Sequence, residues 1–111
     1  MEIGHQKYKH CDLLIVSGKV DSFTAPDLTK AIEKLNETGR FKIVIDLNKL
    51  EYMSSAGFRT LLLGQRNCKR YNRGEIILAS VPKKVMDALD LTGFTPLFKI
   101  FDDITAAVGS F

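Results

Sequence analysis

The chain has 111 residues, of which 45% are apolar and 26% charged, with a formal net charge of +3. This length predicts one compact domain, residues 1–111, because it is too short for two cores. No apolar run reaches the ~18 residues that span a bilayer. No secretory signal pattern opens the chain, and the interleaved charges do not favour nucleic-acid binding.

The N-terminal part of the chain predicts two strands. Residues 3–9 are expected to form an edge strand and residues 10–12 a turn. The continuous apolar run at 13–16 predicts a strand that is buried on both faces. We expect this strand to end at residues 17–19, where Ser17, Gly18 and Lys19 interrupt the run.

A helix follows, and its predicted ends are marked by their residue types. Thr24 is expected to cap it, with Pro26 in the first turn and Asp27 completing a capping box with a short acid. Leu28, Ala31, Ile32 and Leu35 would form its apolar face. Gly39 is expected to end the helix in a left-handed conformation.

The remainder of the chain alternates between strands and helices. The predicted strands are residues 41–47, 75–79 and 97–101. The predicted helices run from Ser55 to about residue 72, from a Ser80 cap and Pro82 to Gly93, and from the acids at 102–103 to Val108. This order predicts a single-domain α/β fold with a mixed, mostly parallel sheet of about five strands and about four helices.

Motifs for catalysis, cofactors or metals are absent from the sequence. There is no phosphate-binding loop of either common type, and Ser55 lacks the setting of a hydrolase nucleophile. His5, His10 and Cys11 match no zinc spacing. We therefore expect no enzyme, no cofactor and no metal. Cys11 and Cys68, which form no CxxC motif, indicate a reduced cytoplasmic protein.

The segment Ser54-Ser55-Ala56-Gly57 joins a predicted strand to the second long helix. Either serine could be a simple helix cap. Gly57 weakens the first turn by about 1 kcal/mol relative to alanine. Its presence indicates a close approach, either by a partner or by the protein's own sheet. Both alternatives stay open at the level of sequence.

A basic face is predicted further along the same helix. Its residues are spaced three and four apart: Arg66, Lys69, Arg70 and Arg73. A solvated face is the simpler interpretation of this spacing, and an acidic partner surface is the alternative.

Four segments, in order, resemble STAS domains, and in particular bacterial anti-sigma-factor antagonists. They are LIVSGKVD at 14–21, APDL at 25–28, IVIDL with LEYMSSAGF at 43–58, and VMDALDLTGF at 85–94. The resemblance covers nearly the whole chain and implies the STAS fold. In this family an unphosphorylated antagonist binds an anti-sigma-factor serine kinase, phosphorylation releases it, and a serine phosphatase resets the switch.

The resemblance implies that Ser55 is the phosphorylated residue. In the family motif an acid precedes the acceptor and a second hydroxyl residue follows it. This chain has Ser54 and Ala56 at those positions, which leaves Ser54 as a candidate second acceptor. The implied partner-binding residues are Asp21, Ser22, Phe23, Ser54, Ser55, Ala56, Gly57 and Arg59.

An alternative function is a STAS domain that acts as a scaffold, a ligand or nucleotide sensor, or an accessory subunit of a transport system. The resemblance to antagonists favours the phosphorylation switch. The sequence does not decide between a monomer and a weak homodimer.

Overall fold

A computed structural model, which describes residues 1–111, shows one six-stranded sheet with helices on both faces. The strands are β1 (Glu2–Lys7), β2 (Asp12–Val20), β3 (Lys42–Asp46), β4 (Leu50–Met53), β5 (Glu75–Ala79) and β6 (Lys99–Phe101). The helices are α1 (Ala25–Glu37), α2 (Ser55–Lys69), α3 (Lys83–Thr92) and α4 (Ile104–Gly109). The α/β class, the mixed sheet and the four helices are confirmed, with six strands in place of about five.

The sheet is parallel except at one edge. Its order is β1-β2-β3-β5-β6, and β4 pairs separately with β2. Only β1 is antiparallel to its neighbour, β2. The parallel pairs require crossover connections, which α1, α2 and α3 provide. The carboxyl ends of the parallel strands consequently lie together at one end of the sheet.

Strand β2 is longer than predicted and serves two neighbours. Its first half pairs with β3, and its second half pairs with β4. The prediction that residues 17–19 end the strand is wrong, because Gly18 bends the chain without interrupting it. Gly18 has φ +84°, a left-handed backbone conformation that glycine adopts without steric strain. It lies where the register between β2 and β4 shifts.

Strand β4 was not predicted. It has four residues, of which only Leu50 and Met53 are buried, so it shows no alternating pattern. Its pairing with the end of β2 is a contact between residues far apart in sequence. Local hydrophobic periodicity does not report such pairing.

The sheet separates two hydrophobic clusters. The larger contains 19 buried residues and lies under α1, α2 and α3, which contribute Leu28, Leu61 and Leu89. The smaller lies under α4, around Val44, Ile77 and Ala107. Cys68 belongs to the first cluster and Cys11 to the second, so the two thiols lie on opposite faces of the sheet.

The start of α1 differs from the prediction. The side chain of Thr24 makes no cap bond to α1. Instead the Asp21 carboxylate accepts the Thr24 N–H at 3.0 Å, and the Thr24 hydroxyl accepts the Asp21 N–H at 2.9 Å. This reciprocal pair is a capping box placed three residues earlier than expected. Thr24 cannot be the cap residue because its own backbone is already helical, and the Ala25 N–H donates to the Asp21 carbonyl at 2.8 Å.

The other predicted helix ends have mixed outcomes. Gly39 and Gly93 end α1 and α3 with φ near +80°, as predicted. Ser80 does not cap α3, because it lies two residues before the cap position, which Pro82 occupies. The Ser80 hydroxyl donates instead to the Asp102 carbonyl. At α4, the Asp103 carboxylate accepts the Ala106 N–H at 2.7 Å.

Candidate functional site

The predicted site lies at the carboxyl end of the sheet, where β4 turns into α2. The Ser54 N–H donates to the Val20 carbonyl at 2.8 Å. This bond joins the start of α2 to the end of β2. The loop that follows β2 therefore lies beside the start of α2, and the two segments named from the sequence meet on one surface.

Ser55 is the first residue of α2, and its side chain is exposed. No hydrogen bond to the protein occupies its hydroxyl, and the first turn of α2 has neither an acidic side chain nor a side-chain cap. The free N–H groups of this turn give the surface a partial positive charge. Arg59, one turn further along the same face, is also exposed.

Ser54 occupies the cap position without capping. Its side chain makes no bond to the helix N–H groups, and its Oγ is buried without any hydrogen-bond partner. The interpretation of Ser54 as a simple side-chain cap is therefore wrong. Of the two serines, Ser55 is therefore the one whose side chain is open to solvent.

Gly57 is buried and faces the protein's own sheet. A Cβ at this position would lie 2.5 Å from the Met53 Cγ and 2.9 Å from the Val20 Cγ1. The close approach that the sequence indicated is thus made by the chain itself. The absence of a side chain at Gly57 allows α2 to pack closely against β4 and β2. The assignment of Gly57 as a partner contact stays a prediction.

The loop between β2 and α1 holds one apolar side chain in solvent. Phe23 is 92% exposed, next to exposed Ser22. The Asp21 carboxylate fixes this loop by accepting the N–H groups of Phe23 and Thr24 at 2.9 and 3.0 Å. The Thr24 N–H, followed by that of Phe23, holds the pKa of Asp21 below its usual range. Asp21 therefore positions its neighbours, which its residue type alone did not reveal.

A shallow groove between α1 and α2 connects these parts. It is lined by Ser22, Ala56, Arg59 and Leu63, together with residues of α1 that the sequence did not assign to a binding surface: Pro26, Thr29, Lys30 and Glu33. The hydroxyls of Thr29 and Thr60 lie 3.1 Å apart and tie the two helices together. Leu63, 49% exposed, marks this face as one on which the helix is not fully covered.

The other residues singled out from the sequence lie elsewhere. Arg66 and Lys69 are exposed on α2, but Arg73 follows the helix and stacks its guanidinium on Phe41, 3.9 Å from the ring centroid. The expected four-residue basic face is therefore wrong at Arg73, because α2 ends at Lys69. No helix combines the length and apolar character needed to cross a bilayer.

His5 and Cys11, which were considered above for metal binding, contact different parts of the protein. The His5 Nε2 lies 2.7 Å from the buried carboxylate of Asp12, near the opposite end of the sheet from Ser55. Cys11 is buried in the smaller cluster, and burial raises the pKa of its thiol.

A fold with this sheet order and this strand-to-helix junction is that of the STAS domain, and the STAS family profile matches residues 5–107. The chain belongs to the STAS family. It is 29% identical over 96 residues to BtrV of Bordetella bronchiseptica, a provisionally named anti-sigma factor antagonist, across 86% of this chain and 82% of that protein. It is 26% identical to the anti-sigma-B factor antagonist of Listeria monocytogenes across 90% of this chain and 86% of that one.

Solved structures share the fold at low sequence identity. A Thermotoga maritima protein, provisionally named an anti-sigma factor antagonist, matches with a TM-score of 0.89 and 20% identity, over 97% of this chain and 92% of that one. The antagonist SpoIIAA, solved without phosphate, matches with a TM-score of 0.84 and 14% identity, over 98% of this chain and 95% of that one. SpoIIAA has also been solved in its phosphorylated form. These four proteins are all named for antagonism of anti-sigma factors.

Proposed function

We propose that this protein is an anti-sigma-factor antagonist that binds a serine kinase of the anti-sigma type and releases it when Ser55 is phosphorylated. The observation that carries the proposal is the placement of Ser55. Its hydroxyl is exposed at the first position of α2, beside the loop that presents Phe23. The names of the relatives support the same function, and a related fold exists in both phosphorylation states.

The proposed contact surface has an apolar and a polar part. Phe23 supplies an exposed aromatic side chain of the kind that anchors protein interfaces. Ser22, Ala56 and Arg59 line the neighbouring groove with small or polar groups, and Ser55 is exposed next to Ala56. Ala56 is half-buried and adds no hydroxyl, so a partner can approach the start of α2 closely.

Phosphate on Ser55 would add about −1.5 to −2 charges at pH 7. The free N–H groups at the start of α2 favour an anion on this protein, and Arg59 lies four residues further along the helix, within reach of it. The change is therefore compatible with the fold. Release would come from the partner's side, through added bulk and through repulsion from acidic groups there.

The absence of an acid before Ser55 affects how the kinase would act. Ser54 cannot orient the Ser55 hydroxyl with a carboxylate, and its own Oγ is buried. The Asp21 carboxylate is committed to the backbone of its loop. In this proposal the kinase itself supplies the group that activates the hydroxyl. A serine phosphatase would reset the switch, and the cycle would run in the cytoplasm.

The test uses tagged protein expressed in its own cells. Mass spectrometry of the purified wild type should find phosphate on Ser55, and the same measurement gives the state of Ser54. Ser55→Ala should retain a kinase of the anti-sigma type, while Ser55→Asp should retain at least about tenfold less.

Ser110→Asp is the matched control, since it places the same charge on a distant exposed serine. It should retain the kinase as the wild type does. The proposal is wrong if Ser55 carries no phosphate under any growth condition tested, or if Ser55→Asp and Ser55→Ala retain the kinase equally.

A further inference from the structure

A second concave surface lies between the edge strand β1 and helix α1. Its cavity volume is about 470 Å³, within the range of about 300–1,000 Å³ that is typical of small-molecule sites. Its walls are formed by β1 and by the second half of α1, and the start of β2 lies between them. Alternate residues of β1 point toward it, beginning with Ile3.

The floor of this groove is apolar. Leu14 of β2 belongs to the main core, and Ile3, Ala31 and Leu35 pack against that core while lining the groove. An aliphatic chain lying here would cover apolar surface that the fold leaves open to water. Each buried CH₂ group of such a chain contributes about 0.8 kcal/mol to binding.

A buried carboxylate stands at one end of the groove and is already neutralised. Asp12 is 1% exposed, and its two oxygens are taken by the His5 Nε2 and the Arg40 Nε, each at 2.7 Å. Arg40 also donates to the carbonyls of Tyr8 and Cys11 at 2.7 and 3.0 Å. This arrangement is rigid and leaves Asp12 without a free oxygen to repel an anion.

Two ammonium groups on the rim have no acidic partner. Lys7 lies opposite Asp12 in the β1–β2 register, and Lys34 lies in the last turn of α1. Both line the groove, and neither has a carboxylate within 4.0 Å. The groove therefore combines three permanent cations, Lys7, Lys34 and Arg40, with one carboxylate that is already paired.

From this charge and shape we propose that the groove binds a small amphiphile with a single anionic head, carboxylate or phosphate, and an aliphatic tail. The head lies between Lys7 and Lys34, whose flexible side chains act as point charges. The tail lies along Ile3, Leu14, Ala31 and Leu35. The site is at the start of β2, and Ser54 bonds to its end, ~26 Å away along a nine-residue strand. Binding here is thus separate from the Ser55 surface.

The experiment titrates the full-length ¹⁵N-labelled protein with octanoate, octyl phosphate, acetate and octan-1-ol, and follows amide shifts by NMR. Octanoate, octyl phosphate or both should bind saturably, with shifts confined to β1, the start of β2 and the second half of α1. The anionic probe that binds identifies the head. Acetate and octan-1-ol should each bind at least about fivefold more weakly, since each lacks one of the two interactions.

Two charge reversals on exposed lysines test the rim. Lys34→Glu should weaken binding about fivefold, because it replaces an attraction by a repulsion of similar size. Lys84→Glu, which makes the same change on α3 away from the groove, should alter binding less than about twofold. Thermal melts of both variants check that the fold is intact.

The proposal is overturned if neither anionic probe binds, if octan-1-ol binds as tightly as the anions, or if the shifts map elsewhere. Equal effects of Lys34→Glu and Lys84→Glu would also overturn it. Light scattering is measured in parallel. A dimer whose interface covers β1 and α1 and excludes the probes would mean that a second copy of the chain occupies the groove instead.

Discussion

At the scale of single residues, Gly57 shows how a residue without a side chain can serve the packing of the protein next to an exposed site. Ser55, two residues earlier, is at the surface, yet Gly57 is buried against Met53 and Val20. The residue sets how closely α2 approaches the sheet. The position of the Ser55 hydroxyl depends on that distance.

Gly57→Ala should destabilise the protein by about 1–2 kcal/mol. The added methyl would lie 2.5 Å from Met53 and 2.9 Å from Val20, which places its overpacking cost in the upper part of the range of about 1–3 kcal/mol. The gain of about 1 kcal/mol in helix propensity offsets part of this cost. Urea unfolding followed by circular dichroism measures the change. Gly109→Ala is the control, since a Cβ at Gly109 meets nothing within 4 Å, and it should be neutral or slightly stabilising. A Gly57→Ala protein as stable as the wild type would contradict the packing account.

The hydrogen bonds of the Asp21 carboxylate predict that this one group makes the stability of the protein depend on pH. Its pKa is lowered, chiefly by the Thr24 N–H. A carboxyl with a lowered folded pKa adds stability above the unfolded value of about 3.9, and this contribution is lost as pH falls through the folded value. The stability gap between the wild type and Asp21→Asn should therefore be constant near neutral pH and close below about pH 4.

Carboxyl ¹³C shifts report the titration of Asp21 directly. A midpoint at or above the ordinary value for aspartate would show that the carboxylate does not hold the loop as described. The same titration, followed at the amide of Phe23, tests whether the exposed aromatic loses its position when Asp21 is protonated.

At the scale of elements, the buried side-chain amide of Gln65 joins α2 to the sheet by hydrogen bonds. Gln65 is 3% exposed, accepts the Ile76 N–H at 2.6 Å and donates to the carbonyls of Ile76 and Leu97 at 3.1 and 2.7 Å. Strand β6 begins its pairing only at Ile77. The Gln65 amide therefore bonds to the backbone groups of Ile76, to which the pairing with β6 does not extend. It also links β5 to Leu97, in the segment before β6.

Gln65→Met, which keeps the length of the side chain, should destabilise the protein by about 2–4 kcal/mol, because a buried N–H and two carbonyls lose their partner. Arg66→Met on the exposed side of the same helix should change stability by less than about 0.5 kcal/mol. Denaturant unfolding of the two variants gives the comparison. Equal stability of both would mean that water or a rearranged backbone replaces the amide.

At the scale of the whole molecule, the proposed switch requires that a negative charge at Ser55 leaves the protein folded. Ser55→Asp should leave the stability unchanged or raise it by about 0.3–1 kcal/mol, since an anion is favoured at the start of a helix and Arg59 lies four residues away. Thermal unfolding measures this, with Ser55→Asn as the uncharged control of similar shape. A variant that unfolds, or melts well below Ser55→Asn, would mean that phosphate acts on the fold and not at the interface.

The sequence alone determined the α/β class, the junction that carries Ser55 and the order of the elements apart from β4. These features depend on neighbours within about one or two turns of the chain, through helical spacing, buried β-branched runs and left-handed glycines at helix ends. The resemblance of four such segments to STAS domains was sufficient to indicate the family, which the match over residues 5–107 confirms.

Only the tertiary structure decided which residues meet. The pairing of β4 with the end of β2, the burial of Gly57 under Met53 and Val20, and the groove beside the Asp12 carboxylate all join segments distant in sequence. Arg40 and Asp12, for example, are separated by 28 residues. Such contacts depend on how the helices pack across the sheet, and periodicity along the chain does not report packing between elements.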